Sequence, residues 1–333
     1  MNSLVLAPFS TKGLDSLNKL GFVAYEPWTE SKLIHDPQLL GERIARENFN
    51  VLIVEADFLF DELFNAAKNL YFAALCRSSL NQVELDEAIK HGITIVHTPN
   101  RNAQAVAELV LGVIFSLLRH IHSSNIFIKR GEWEVPTDPY IRFKGREISS
   151  VKLGIVGLGN IGTKVAALAN KLGVEVSVYD PYAKAKIVKM DNVKFMDLDD
   201  LFAECNIVTL HLADNEQTLN MIQDKQLSLL GPESFLINTS SPSIVNEDHL
   251  YNALVNGTIA GAAIDVHDSH PIPSNSKLIQ LENTLLTPHI GGSSFETIDR
   301  YSSMVLKDLR FFLKGKMPKN IANPEVWPSR RTP

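Results

Sequence analysis

One stretch, Val156-Gly157-Leu158-Gly159-Asn160-Ile161-Gly162, constrains this chain more than any other. It follows the apolar run Leu153 to Val156 directly and precedes a helical pattern from Lys164 to Leu172. An apolar strand, a glycine-rich turn and a helix in that order give each glycine a reason. The turn is tight, the backbone must approach a pyrophosphate, and the helix must pack close to the strand. A helix start with unpaired N–H groups and a favourable dipole is a ready phosphate site. The next apolar run, Val174 to Tyr179, ends in Asp180, eighteen positions past Gly162, where an acid accepts hydrogen bonds from ribose hydroxyls. The competing reading is a tight turn and nothing more.

The spacing therefore points to a dinucleotide site built by Gly157, Gly159, Asn160, Ile161 and Gly162, with Asp180 and Pro181 at the ribose. An acid there repels a 2′-phosphate, so the cofactor expected is NAD rather than NADP.

Around this unit the chain repeats one theme. Short apolar runs, Leu4 to Leu6, Val51 to Val54, Ala73 to Leu75 and Ile93 to Val96, alternate with amphipathic stretches. After Gly145 the pattern resumes with Leu153 to Val156, Val174 to Tyr179, Ile207 to Leu210, Phe235 to Ile237 and Ile259 to Ile264. Such runs separated by helical patterns predict α/β architecture with two doubly wound parallel sheets. A chain of 333 residues also exceeds what one core usually serves. The apolar spacing predicts a long helix from Asn102 to His122 and another from Phe295 to Leu313. The proline-bearing tail, ending Arg330-Arg331-Thr332-Pro333, is expected to be mobile.

Composition narrows the partners. The net charge of -6, with no basic run, argues against nucleic acid or an anionic membrane and for a small molecule. No basic-then-apolar leader and no run of about eighteen apolar residues occurs, so a cytoplasmic protein is expected. Cys76 and Cys205 stand in unrelated segments without metal-ligand spacing, so no metal site is expected.

Four further segments resemble one family across nearly the whole chain, the D-2-hydroxyacid dehydrogenases. They are Asn102 to Glu108, Val178 to Tyr182, Gly261 to Val266 and Leu286-Thr287-Pro288-His289-Ile290-Gly291-Gly292. The resemblance implies a Rossmann NAD-binding domain, residues 101–289, inserted into a flavodoxin-like substrate domain of residues 1–100 and 290–333. It further implies a homodimer, a cleft between the domains for a small 2-hydroxy or 2-keto acid, and NAD contacts from Asn238, Thr239 and Asp265.

By the same resemblance, His289 is the proton donor and acceptor during hydride transfer, a role suited to imidazole with its ordinary pKa of about 6.5. Two partners of that histidine are replaced. Ser241, in Asn238-Thr239-Ser240-Ser241-Pro242, stands where the family has an arginine. His270, in Asp265-Val266-His267-Asp268-Ser269-His270-Pro271, stands where it has a glutamate. A serine supplies no charged bidentate fork. Arg77, in Cys76-Arg77-Ser78-Ser79, is a candidate substitute for the arginine, against the alternative of a solvent-facing or bridging charge. Arg101 is a second candidate, against that of a helix-start ion pair. Two functions stay open: an NAD-dependent oxidoreductase with an atypical site, and an NAD-binding sensor or scaffold that has lost the chemistry.

Overall fold

The computed structural model describes residues 1–183 and 193–333. The chain divides into two compact units, Met1–Arg101 with Ser294–Pro333, and Asn102–Ser293.

The first unit holds a five-stranded parallel sheet of β1 (Asn2–Val5), β2 (Phe22–Tyr25), β3 (Val51–Val54), β4 (Phe72–Leu75) and β5 (Thr94–His97). They lie in the order β2-β1-β3-β4-β5. The strands VLIV and FAAL are buried at every position, as a sheet covered on both faces requires. One face is covered by the helix Phe295–Leu313, whose Tyr301, Val305, Leu309 and Phe312 recur at helical spacing and pack with Val5, Ile53, Ala74 and Val96. Ser294 starts that helix by accepting a hydrogen bond from the Thr297 amide.

The tail is fastened, contrary to the expectation of mobility. β5 is an edge strand, and the tail satisfies its outer polar groups. Asn323 accepts from the Ile95 amide and donates to the Ile93 carbonyl, both at 2.9 Å. Val326 is fully buried. The Arg331 guanidinium donates to the carbonyls of Ala67, Lys68 and Leu70. Prolines and charges signal exposure in a sequence, but they do not show that a sheet edge nearby lacks a partner.

The second unit holds β6 (Lys152–Val156), β7 (Glu175–Tyr179), β8 (Val193–Phe195), β9 (Ile207–Leu210), β10 (Phe235–Asn238), β11 (Gly261–Ile264) and β12 (Thr284–Leu286). Among the described residues they pair in parallel in the order β12-β11-β10-β9-β6-β7-β8. From β6 the chain winds first one way, to β7 and β8, and then the other, from β9 to β12. The crevice beyond the strand ends at β6 and β9 is therefore the topological switch point, where doubly wound sheets bind ligands.

The helix expected from Asn102 to His122 is shorter. It spans Ala103–Leu118 and packs Val106, Val110 and Ile114 with Val165, Ala166 and Ala169 of the helix Asn160–Lys171. It stops because the Leu118 carbonyl accepts from the Arg146 amide at 3.0 Å instead of continuing the helical ladder. Gly145 permits this approach, since a Cβ there would lie 2.1 Å from the same carbonyl oxygen. His120 then turns at φ 53°, and a second helix, Ile121–Lys129, leaves at 62° to the first. Among the described residues no single helix is long and apolar enough to cross a membrane.

Candidate functional site

At the C-terminal end of β6 the three glycines separate by role. Gly157 has φ +93°, and a Cβ there would sit 2.6 Å from the His211 carbonyl oxygen at the end of β9. A Cβ on Gly162 would sit 2.1 Å from the Gly157 oxygen. Those two positions are demanded by the turn itself. Gly159 differs: its φ is -71°, nothing lies within 4 Å of where its Cβ would be, and it begins the helix Asn160–Lys171 without a side-chain cap. Asn160 and Ile161 form the first turn of that helix. An uncapped helix start beside open space fits a pyrophosphate, so the residues present fit the dinucleotide.

Gly159→Val is therefore expected to leave the melting temperature within about 2 °C of wild type while weakening NAD binding at least about tenfold, as calorimetry reads it. Gly162→Val, by contrast, is expected to unfold the unit. An unchanged NAD affinity in Gly159→Val removes the cradle.

Asp180 closes the turn. Its Oδ2 accepts from the Leu158 amide at 2.7 Å, and its Oδ1 from the amides of Tyr182 and Ala183 at 2.8 and 3.0 Å. A carboxylate accepts about four hydrogen bonds, so this side chain retains capacity for a ribose hydroxyl. Pro181, next to Asp180 in the chain, is exposed.

His211 follows β9 beside the turn. Its Nε2 lies 3.1 Å from the Thr209 hydroxyl, and its Nδ1 is buried with no partner among the described residues. Burial pushes its pKa down to about 3. The imidazole is thus neutral when folded, whereas the unfolded chain takes up a proton below about 6.5. Stability from this residue is complete above pH 6.5, drains as the pH falls toward 3, and levels off there. With allowance for partial solvent access, the loss at pH 5 is about 1–2 kcal/mol. Urea melts at pH 7.5 and 5.0 are expected to show that much less pH dependence for His211→Gln than for wild type. Equal slopes remove the assignment.

The turn after β12 carries His289 and is held from the end of β11. Asp265, nearly fully buried, accepts from the Thr287 hydroxyl at 2.6 Å, the Ile290 amide at 2.8 Å and the Gly291 amide at 2.8 Å. The expectation put Asp265 among the cofactor contacts; its carboxylate is directed into this turn. A Cβ on Gly291 would stand 2.9 Å from Asp265 Oδ2, so glycine keeps the approach open. Within the turn His289 takes φ 56°, an unusual value for a residue with a side chain.

His270 meets His289: Nε2 of the former lies 2.9 Å from Nδ1 of the latter, with ring centroids 5.0 Å apart. One ring donates and the other accepts, so the pair shares a single proton along this contact. His267 donates from Nε2 to the Thr287 carbonyl at 3.0 Å.

Ser241 lies past β10 in a loop organised by Asn238, whose Nδ2 donates to the Ser241 carbonyl at 2.8 Å and whose Oδ1 accepts from the Ser240 amide at 3.1 Å. Thr239 keeps a buried hydroxyl with no partner among the described residues. The Ser241 hydroxyl lies 2.9 Å from that of Ser243, which donates to Asp214 at 2.7 Å. Sequence reasoning missed Ser243, Asp214 and His211. The available signal was their position just beyond the ends of β9 and β10, on the ligand-binding edge of the sheet.

In the first unit, Arg77 is exposed and donates to Gln82 at 3.1 Å, while Gln82 is fixed by the carbonyls of Glu55 and Asp57. Arg101 is an ion-pair residue. It sits 2.7 Å from Glu55, with both side chains largely shielded, and its guanidinium lies 5.1 Å from the Tyr301 ring centroid. Its partner follows β3 and is not a helix-start group.

Residues 111–291 match the family described as D-isomer specific 2-hydroxyacid dehydrogenase, NAD binding domain. D-3-phosphoglycerate dehydrogenase of Escherichia coli (strain K12) is 35% identical over 320 residues, covering 95% of this chain and 75% of that one. A glyoxylate reductase of Thermococcus litoralis is 32% identical over 314 residues, covering 92% and 94%. Among solved structures, the TT0316 protein from Thermus thermophilus superposes with a TM-score of 0.82 at 26% identity, covering 97% of this chain and 100% of that one. With the glycine turn, the histidine-bearing turn and these relatives in agreement, the chain belongs to the D-isomer specific 2-hydroxyacid dehydrogenases, a family of NAD-dependent oxidoreductases.

Proposed function

We propose that this protein interconverts a small D-2-hydroxy acid and its 2-keto acid, with His289 as acid and base. The observation that carries the reading is the 2.9 Å contact between His270 and His289 on the same sheet edge as the glycine turn. NAD, when bound, supplies the hydride acceptor or donor. In reduction, the His289 imidazolium gives its proton to the substrate oxygen; in oxidation, the neutral ring takes it from the hydroxyl. His270 fixes the ring plane through Nδ1. Unlike a carboxylate, an imidazole side chain brings no negative charge to stabilise imidazolium, so turnover is slower than a carboxylate partner allows. Asp265 sets where the imidazole stands. Asp180 selects NAD over NADP, and Asn238 and Thr239 complete the cofactor's surroundings. Arg77 is the charged side chain proposed to bind the substrate's acid group.

The protein is further proposed to be a cytoplasmic homodimer. The segment bearing Ile121, Ile128, Trp133, Tyr140 and Ile141 exposes these large apolar side chains, a composition suited to a second copy.

A second reading, an NAD-binding sensor, is favoured by the surroundings of Ser241, which is joined through Ser243 to a carboxylate, Asp214, on the loop after β9. Absorbance at the nicotinamide band with glyoxylate, hydroxypyruvate, pyruvate and sugar-derived keto acids separates the two. If NADH binds yet no acid is turned over, even by Ser241→Arg, the sensor reading stands.

A further inference from the structure

We propose that Asp214, Ser243 and Ser241 form a one-way hydrogen-bond chain that selects a substrate carrying a hydroxyl beside the reacting carbon. The inference rests on the oxidoreductase reading and deepens it by naming the substrate class and the residues that choose it.

The direction of the chain follows from valence. A carboxylate only accepts, so Ser243 spends its one proton on Asp214 at 2.7 Å. The Ser243 oxygen is then the acceptor in its 2.9 Å contact with Ser241, and Ser241 spends its proton there. What Ser241 has left for a ligand is lone pairs. A serine ordinarily donates or accepts as the ligand requires; this one is held as an acceptor because the exposed Asp214 carboxylate, two hydrogen bonds away, can only accept.

The position matters as much as the polarity. Parallel registers pair Leu210 of β9 with Asn238 of β10, Asn238 with Ile264 of β11, and Ile264 with Leu286 of β12. The four strands therefore end level, and the loops carrying Asp214, Ser241, His270 and His289 leave from one edge. Asn238 fixes the Ser241 backbone through its carbonyl, so the hydroxyl is carried on a braced loop. A substrate carboxylate or keto oxygen placed against Ser241 meets another acceptor, whereas a hydroxyl donates to it. The substrate class is a 2-keto or 2-hydroxy acid with a further hydroxyl on the adjoining carbon.

The test uses the full-length protein with NADH and matched pairs of 2-keto acids of equal length with and without a 3-hydroxyl, hydroxypyruvate against pyruvate and the four- and six-carbon equivalents. Wild type is expected to favour the hydroxylated member by about tenfold in kcat/KM, mostly through KM. Ser243→Ala breaks the chain, and Asp214→Asn lets it run in either direction, because an amide both donates and accepts. Both are expected to bring the ratio within about twofold of unity, and Ser243→Thr, which keeps the hydroxyl, to restore it. A wild-type ratio near unity, or a ratio in Ser243→Ala equal to that of wild type, overturns the inference and leaves the oxidoreductase reading standing. Turnover of no pair while NADH binds defeats that reading, and the inference with it.

Discussion

Replacing His289 with glutamine is expected to lower kcat for keto acid reduction by about 10²–10⁴-fold while changing NADH affinity by less than about threefold. Glutamine occupies similar space and still reaches His270, so the loss isolates proton transfer from packing. The glycine turn that fits the cofactor follows β6, which is separated from β11 and β12 in the sheet order by β9 and β10, and that is why binding is expected to survive. His270→Glu is the complementary variant. A carboxylate at the place of the ring that now lies 2.9 Å from Nδ1 stabilises imidazolium, so the basic limb of the pH–rate profile is expected to move upward and kcat for reduction to rise. If His289→Gln keeps wild-type kcat, the proton comes from elsewhere and the proposed mechanism fails.

Asp265→Asn carries the second large expected effect, and it acts on stability and rate together. The carboxylate accepts three hydrogen bonds from the turn that carries His289. An amide keeps one accepting oxygen and turns a donor toward donors, leaving at least one amide or hydroxyl of the turn unpaired in a buried place. At about 1–3 kcal/mol for each group so stranded, the expected destabilisation is roughly 3 kcal/mol, or about 6–12 °C in melting temperature. Because His289 sits at φ 56° inside the same turn, relaxing it also displaces the imidazole. A fall in kcat of about 10–100-fold, measured well below the variant's melting temperature, is the expected result. A destabilised variant with unaltered kcat shows instead that the turn holds its shape without this carboxylate.

How much of this was legible beforehand differs by kind of signal. Buried parallel strands are continuous apolar runs, and VLIV, IVTL and the strand before Gly157 appear in the sequence much as they stand in the sheets. Three weaker strands were not read. β2 and β8 have no fully buried position, and β8 and β12 are three residues long. The helix stop at Leu118 was illegible because the group that ends it, the Arg146 amide, is remote in sequence. At the site, the histidines and glycines announced themselves through spacing. The contact between His270 and His289 was foreseeable as a possibility, but the hydrogen bonds from Ser241 through Ser243 to Asp214 join two loops with no periodic pattern. Asp265 was legible as a residue at the end of a strand, while the direction of its carboxylate depends on how far β12 runs before turning.

Asn323 laced to β5, Val326 buried beside it and Arg331 tied to the loop before β4 make residues 320–331 a selvedge for the first sheet. Any genetic edit that trims them strips the hem from a parallel array, and unhemmed arrays recruit strands from neighbouring molecules.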